Sequence, residues 1–157
     1  MRAKIRLMNR TWKPNVTVAA LIERDGAFLL VEEETDDGIR FNQPAGHLDE
    51  GESLVAACAR EALEETAWQF TPTSLVGIYQ WPRPQGDITY LRFAFAGTLG
   101  SHDAGRKLDT GILRAVWMTS AEIEATQARH RSPLIWQCVR DWLAGRRFPL
   151  DLIRHYE

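Results

Sequence analysis

A chain of 157 residues, 45% hydrophobic and 25% charged, is long enough to bury one ordinary core without disulfide or metal staples. Its formal charge of -2 offers no basic field for gripping nucleic acid, and no apolar run is long enough to span a bilayer. The expected partner is therefore a small molecule, neither a nucleic acid nor a membrane.

The basic start, MRAKIRLMNRTWKPN, lacks the apolar stretch of a signal peptide. Cys58 and Cys138 have no CxxC spacing and read as core thiols in a reducing compartment, so a cytoplasmic protein is expected. Residues 1–13 are read as an N-terminal extension of a single domain covering 1–157. Trp12-Lys13-Pro14 either begins the first strand or sits near the substrate.

Val16 to Glu23, rich in β-branched residues, and the run AFLLVEE flank the turn Arg24-Asp25-Gly26, which predicts a hairpin. Glu32 to Arg40, acidic and then broken by glycine, reads as a solvated loop and not a metal site. Pro44 and Gly46 stop any continuing strand, and Ser53 or Glu52 begins a helix.

That helix carries the chemistry. Glu61, Glu64 and Glu65 stand at i, i+3 and i+4, which puts three carboxylates on one helical face, while Val55, Cys58 and Ala62 form an apolar side. Carboxylates this close raise one another's pKa, and a hard divalent cation with oxygen ligands, Mg2+ or Mn2+, relieves the repulsion. The competing reading is a solvated acidic helix with Arg60 paired to Glu64.

Beyond the helix, LVGIYQW, the turn-prone PRPQGD and ITYLRFAFAGTL predict a second, longer hairpin. SHDAGRKLDT reads as a loop, ILRAVWM as a strand, and SAEIEATQAR as a helix with Ser120 as its N-cap. A final helix runs from Pro133 to Ala144, with Leu134, Cys138, Val139 and Trp142 as its apolar stripe and Gly145 as its end. Tyr79 and Trp81 are candidates for stacking on a base or heterocycle, and Arg83 and Arg92 for meeting phosphate, although strand aromatics commonly serve the core. His47 either touches a phosphate or faces solvent. The histidines have no HExxH or i,i+4 spacing, so zinc chemistry has no support. The element order is that of an α+β fold.

Gly46, Glu52, Arg60-Glu61 and Glu64-Glu65 are spaced as in the signature box of the Nudix hydrolases, which split diphosphates linked to another moiety, and the chain resembles that family. It departs from the pattern at Ala62, Ala67 and Trp68, and Ala67 replaces the glycine that usually supplies a left-handed helix exit. The strings KPNVTVAALIE, NQPAGHLDEGESL, YLRFAF and RSPL further resemble the NudJ-type phosphatases, which remove terminal phosphate from nucleoside di- and triphosphates and thiamin-type pyrophosphates.

This resemblance implies a Nudix fold: an αβα sandwich in which a mixed β-sheet is flanked by helices around a loop-helix-loop catalytic unit. It implies Mg2+ or Mn2+ held by Glu61, Glu64 and Glu65, by the backbone carbonyl of Ala45, and by an acid outside the box, for which Asp109 is the candidate; Asp109 reads equally as a turn aspartate. Arg60 would orient Glu52 and the cluster, and Glu61 or an acid outside the box would take a proton. Pro82, fifteen residues after Ala67, matches a spacing found in ADP-ribose pyrophosphatases, the alternative enzyme reading. A Nudix-fold binding or regulatory module is the non-enzymatic alternative.

Overall fold

The computed structural model describes residues 11–156; most of the expected extension over 1–13 lies outside the described residues. In chain order the elements are β1 (Asn15–Leu21), β2 (Glu23–Arg24), β3 (Ala27–Thr35), β4 (Gly38–Asn42), β5 (Ala45–His47), α1 (Leu54–Thr66), β6 (Trp68–Pro82), β7 (Thr89–His102), β8 (Ile112–Thr119), α2 (Ser120–Ala125) and α3 (Leu134–Leu143). The strands form two sheets. One is mixed, in the order β5-β1-β7-β6, with β1 parallel to β7 and the other pairs antiparallel. In the second, β3 pairs antiparallel with β2, β4 and β8.

Strand β1 shows why the sandwich has three layers. Its side chains alternate between faces, and both sets are buried. Val18 and Ala20 join Leu29, Phe70 and Phe95 in a cluster with Ala57, Cys58 and Ala62 of α1. Ala19 and Leu21 join Phe28, Leu30 and Phe41 in a second cluster with Ile123 of α2 and Ile135, Cys138 and Val139 of α3. The near-continuous apolar run of this strand is thus the mark of a sheet covered on both sides. Both cysteines are buried and free, one in each layer.

Several sequence expectations are corrected. The hairpin after β1 survives only as the stub β2 against the start of β3, because the chain crosses at Ile22 from one sheet to the other. Glu32 to Arg40 is a hairpin of its own: β3 runs on to Thr35 and β4 restarts at Gly38, leaving only Asp36-Asp37 as turn. The strand after the box helix begins at once with Trp68, and three register shifts bend β6 along β7. The N-cap of α2 is Thr119 in place of Ser120, since Thr119 and Glu122 close a capping box in which each side chain accepts from the other's backbone N–H. The helix expected over Pro133 to Ala144 is α3, and Gly145 follows it at φ +77°.

Candidate active site

Ser53 starts α1 by accepting the Ala56 N–H at 3.1 Å, and Ala67 ends it with φ 61°, its N–H donating to the Leu63 carbonyl at 2.9 Å. The helix exit therefore has the left-handed geometry even with alanine. The loop before the helix lies against it so tightly that a Cβ on Gly46 would come within 2.1 Å of the Glu61 carboxylate. Close approach, not a special dihedral, is what demands glycine there.

Arg60 ties loop and helix together. Its Nε and Nη2 donate to the two oxygens of Glu52, both at 2.9 Å, in a bidentate fork. Nη1 donates to Glu61 at 2.7 Å and Glu64 at 3.0 Å, and Nη2 also reaches the His47 carbonyl at 3.0 Å. Hydrogen bonds from Arg60 hold the Glu52 carboxyl below its ordinary range.

Two of the three acids on this face are withdrawn from solvent, and the Glu64 side chain is 29% exposed. Glu61 and Glu65 are each only 8% exposed. Burial pushes the Glu65 carboxyl up to about 8 against the opposing hydrogen bond from the Ala45 N–H at 2.9 Å, and the charges of Glu61, Glu33 and Asp109 push it the same way. Burial likewise raises Glu61, even with Arg60 beside it, and Glu64 and Asp109 add to the rise. Asp109 is exposed, but its N–H donates to the Glu64 carbonyl at 3.1 Å, which sets it beside the helix. Ala45 faces Ala19 of β1 as a non-hydrogen-bonded pair, shown by the Ala20 N–H donating to Pro44 O, so the N–H and carbonyl of Ala45 both point away from β1 toward α1.

Two clefts open here. The smaller, about 320 Å3, is lined by Glu33, Ala45, Gly46, His47, Glu61 and Glu65 among others; the larger, about 680 Å3, contains Trp81, Arg83, Tyr90 and the segment before α3. Arg92 and Arg131 belong to both and mark the passage between them. Of the expected substrate residues, Trp81, Arg83 and Arg92 are wall residues. Arg92 is buried, with its guanidinium donating to Gln43 at 3.1 Å and Asn42 at 3.3 Å. Tyr79 lines neither cleft: it packs on the core and its hydroxyl donates to Asp141 of α3 at 2.8 Å. Its place as an aromatic wall is taken by Tyr90, stacked on Trp81 with centroids 5.9 Å apart and planes 15° from parallel.

Sequence reasoning missed Glu33, Tyr90 and Arg131. Glu33 is 6% exposed and lies in the smaller cleft; its Oε2 accepts from Arg131 at 2.5 Å while Oε1 has no partner. The available signal was the period-2 pattern of β3, in which Glu33 follows Leu29 and Val31 in phase.

Among the described residues, no group of three acids, cysteines or histidines is already drawn together as a metal cage. In this state Arg60 draws one oxygen each from Glu61 and Glu64. The donor set nonetheless fits a hard cation: desolvated carboxylates that repel one another, with an unpartnered buried oxygen on Glu33 in the same cleft.

A profile of the NUDIX domain matches residues 11–137. Phosphatase NudJ of Escherichia coli K12 is 39% identical over 143 residues, which cover 90% of this chain and 92% of the relative. A NUDIX hydrolase from Nitrosomonas europaea has a solved structure that superposes with a TM-score of 0.89 at 55% identity, covering 92% of this chain and 98% of the other. A bifunctional NMN adenylyltransferase/ADP ribose pyrophosphatase from Francisella tularensis, solved with AMP and Mn, shares the fold at 18% identity and a TM-score of 0.65, covering 87% of this chain and 43% of the other.

Proposed function

This chain belongs to the NUDIX family and is a pyrophosphohydrolase, and from that premise we propose that it removes terminal phosphate from nucleoside di- and triphosphates or thiamin-type pyrophosphates in a reaction dependent on Mg2+ or Mn2+. The observation that carries the reading is the pairing of an Arg60-ordered carboxylate cluster in one cleft with an aromatic and arginine-lined cleft beside it, joined at Arg92. The 39% identity to a relative named a phosphatase supports loss of a terminal phosphate. We also take residues 1–157 as one cytoplasmic domain; among the described residues, no helix is long and apolar enough to cross a membrane.

The metal would be held by Glu61, Glu64, Glu65, Asp109 and the Ala45 carbonyl. When bound, a divalent cation supplies charge neutralisation at phosphate oxygens and lowers the pKa of an attacking water. Arg60, held by the Glu52 carboxylate, would order Glu61 and Glu64, to both of which it donates. Glu61, or an acid outside the box, accepts the water's proton. Trp81, backed by Tyr90, offers a face to the substrate's heterocycle and tolerates different bases, because every base has a face to stack. The ADP-ribose alternative stays the runner-up: Pro82 ends β6 exposed, between the wall residues Trp81 and Arg83. A box with every charged residue present speaks against a binding module.

Hydrolysis of a nucleoside diphosphate in 18O-labelled water, with mass spectrometry of both products, tests the reading. Label is expected in inorganic phosphate, from attack at the terminal phosphorus. Label in the nucleoside monophosphate would overturn it.

A further inference from the structure

The larger cleft is walled in part by Arg131, Ser132, Pro133 and Leu134, the RSPL string immediately before and at the start of α3. Among the described residues none of these four hydrogen-bonds to α1, yet Arg131 is anchored through both its backbone and its side chain. The Arg131 N–H donates to the Phe41 carbonyl at 3.0 Å and its Nη1 to Oε2 of Glu33 at 2.5 Å, so β4 fixes its backbone and β3 its side chain. The guanidinium is half exposed, and its other donors have no partner among the described residues. Ser132 is only 8% exposed, and its Oγ is buried with no hydrogen-bond partner. A buried hydroxyl in that condition is one that a ligand group can satisfy.

The third component is α3 itself, ten residues long, whose first turn has no side-chain cap. An uncapped helix N-terminus favours a negative charge. Its position is set by Gln43, which donates to the Ile135 carbonyl at 2.8 Å and accepts from buried Arg92 at 3.1 Å. Arg131, Ser132 and the start of α3 are thus consecutive in the chain and border one cleft, whose acids, Glu34, Asp36 and Asp37, belong to the β3–β4 hairpin.

We infer that Arg131, Ser132 and the N-terminus of α3 form a phosphate seat that holds the phosphate not under attack while its neighbour lies against the carboxylates of the smaller cleft. Arg131 lines both clefts, as a group gripping the nearer of two linked phosphates must. Glu33 is a positioning residue in this arrangement: it anchors one arm of the Arg131 fork and leaves the rest for phosphate. The inference rests on the diphosphate reading above.

Ser132→Ala and Arg131→Lys test it, with ADP and inorganic pyrophosphate as probes. The KM for ADP is expected to rise about tenfold in Arg131→Lys and roughly threefold or more in Ser132→Ala, with kcat within about twofold, because the seat binds ground and transition states alike. The rise in melting temperature given by either probe should shrink in both variants, while the ligand-free melting temperature and the response to Mg2+ alone match the parent. Unchanged KM and unchanged melting responses would overturn the seat, as would a weakened response to ADP with a full response to pyrophosphate, which would assign these groups to the nucleoside. Failure of the terminal-phosphate reading shows separately, as label in the nucleoside monophosphate from the parent enzyme.

Discussion

Arg60 donates five hydrogen bonds, two to Glu52 and one each to Glu61, Glu64 and the His47 carbonyl, and no other basic side chain has that geometry. Lysine at this position keeps the charge but loses the planar fork. Arg60→Lys should lower kcat by roughly a hundredfold with a smaller change in KM, as expected for a residue that orders ligands; steady-state kinetics check this, and a change confined to KM would place Arg60 against the phosphates. Glu65 leads to a pH prediction. Its carboxyl, raised from 4.5 to about 8, binds a proton more tightly in the folded than in the unfolded state. That contribution to stability is complete below 4.5 and is lost as pH rises through about 8. In EDTA the parent should therefore lose melting temperature across this window, and Glu65→Gln should flatten the loss. Glu52 and Glu32, both lowered by arginine partners, act in the opposite sense and make the protein less stable as pH falls below 4.5.

At the scale of elements, α1 is set by its two ends. The start was legible in Ser53, whose side chain can only cap where it stands. The exit posed the harder question, because Ala67 occupies a position that ordinarily favours glycine. A left-handed alanine costs about 1–2 kcal/mol, but the Ala67 methyl is buried, which returns about 0.8 kcal/mol, and alanine also restricts the unfolded chain by about 0.4–1 kcal/mol. These effects nearly cancel. Ala67→Gly should shift stability by less than about 1 kcal/mol and leave turnover unchanged, as measured by denaturant melts and kinetics. The β3–β4 hairpin shows the opposite case. Three glutamates in a row suit solvent, yet pairing of β3 with β8 on one side and β4 on the other extends the strand to Thr35 and carries Glu33 into the interior.

For the whole molecule, the family, the α+β class, the box helix with its start near Ser53, the long β6–β7 hairpin and the final helix with Gly145 beyond it were all legible in the chain, while the left-handed exit at Ala67 was not. Each is encoded by neighbours in sequence: periodicity of apolar residues, a capping side chain, a turn, or charges spaced to meet on one helical face. Tertiary structure alone decided that β1 leaves its hairpin partner to run parallel with β7, that Tyr79 turns to Asp141 while Tyr90 backs Trp81, and that Glu33 meets Arg131 from 98 residues away. Those outcomes depend on which strands lie side by side and in what register, and a one-residue change of register sends every side chain to the other face. Local sequence determines what each element is and which face is apolar; only non-local pairing determines which polar side chain ends in a cleft and which in the core.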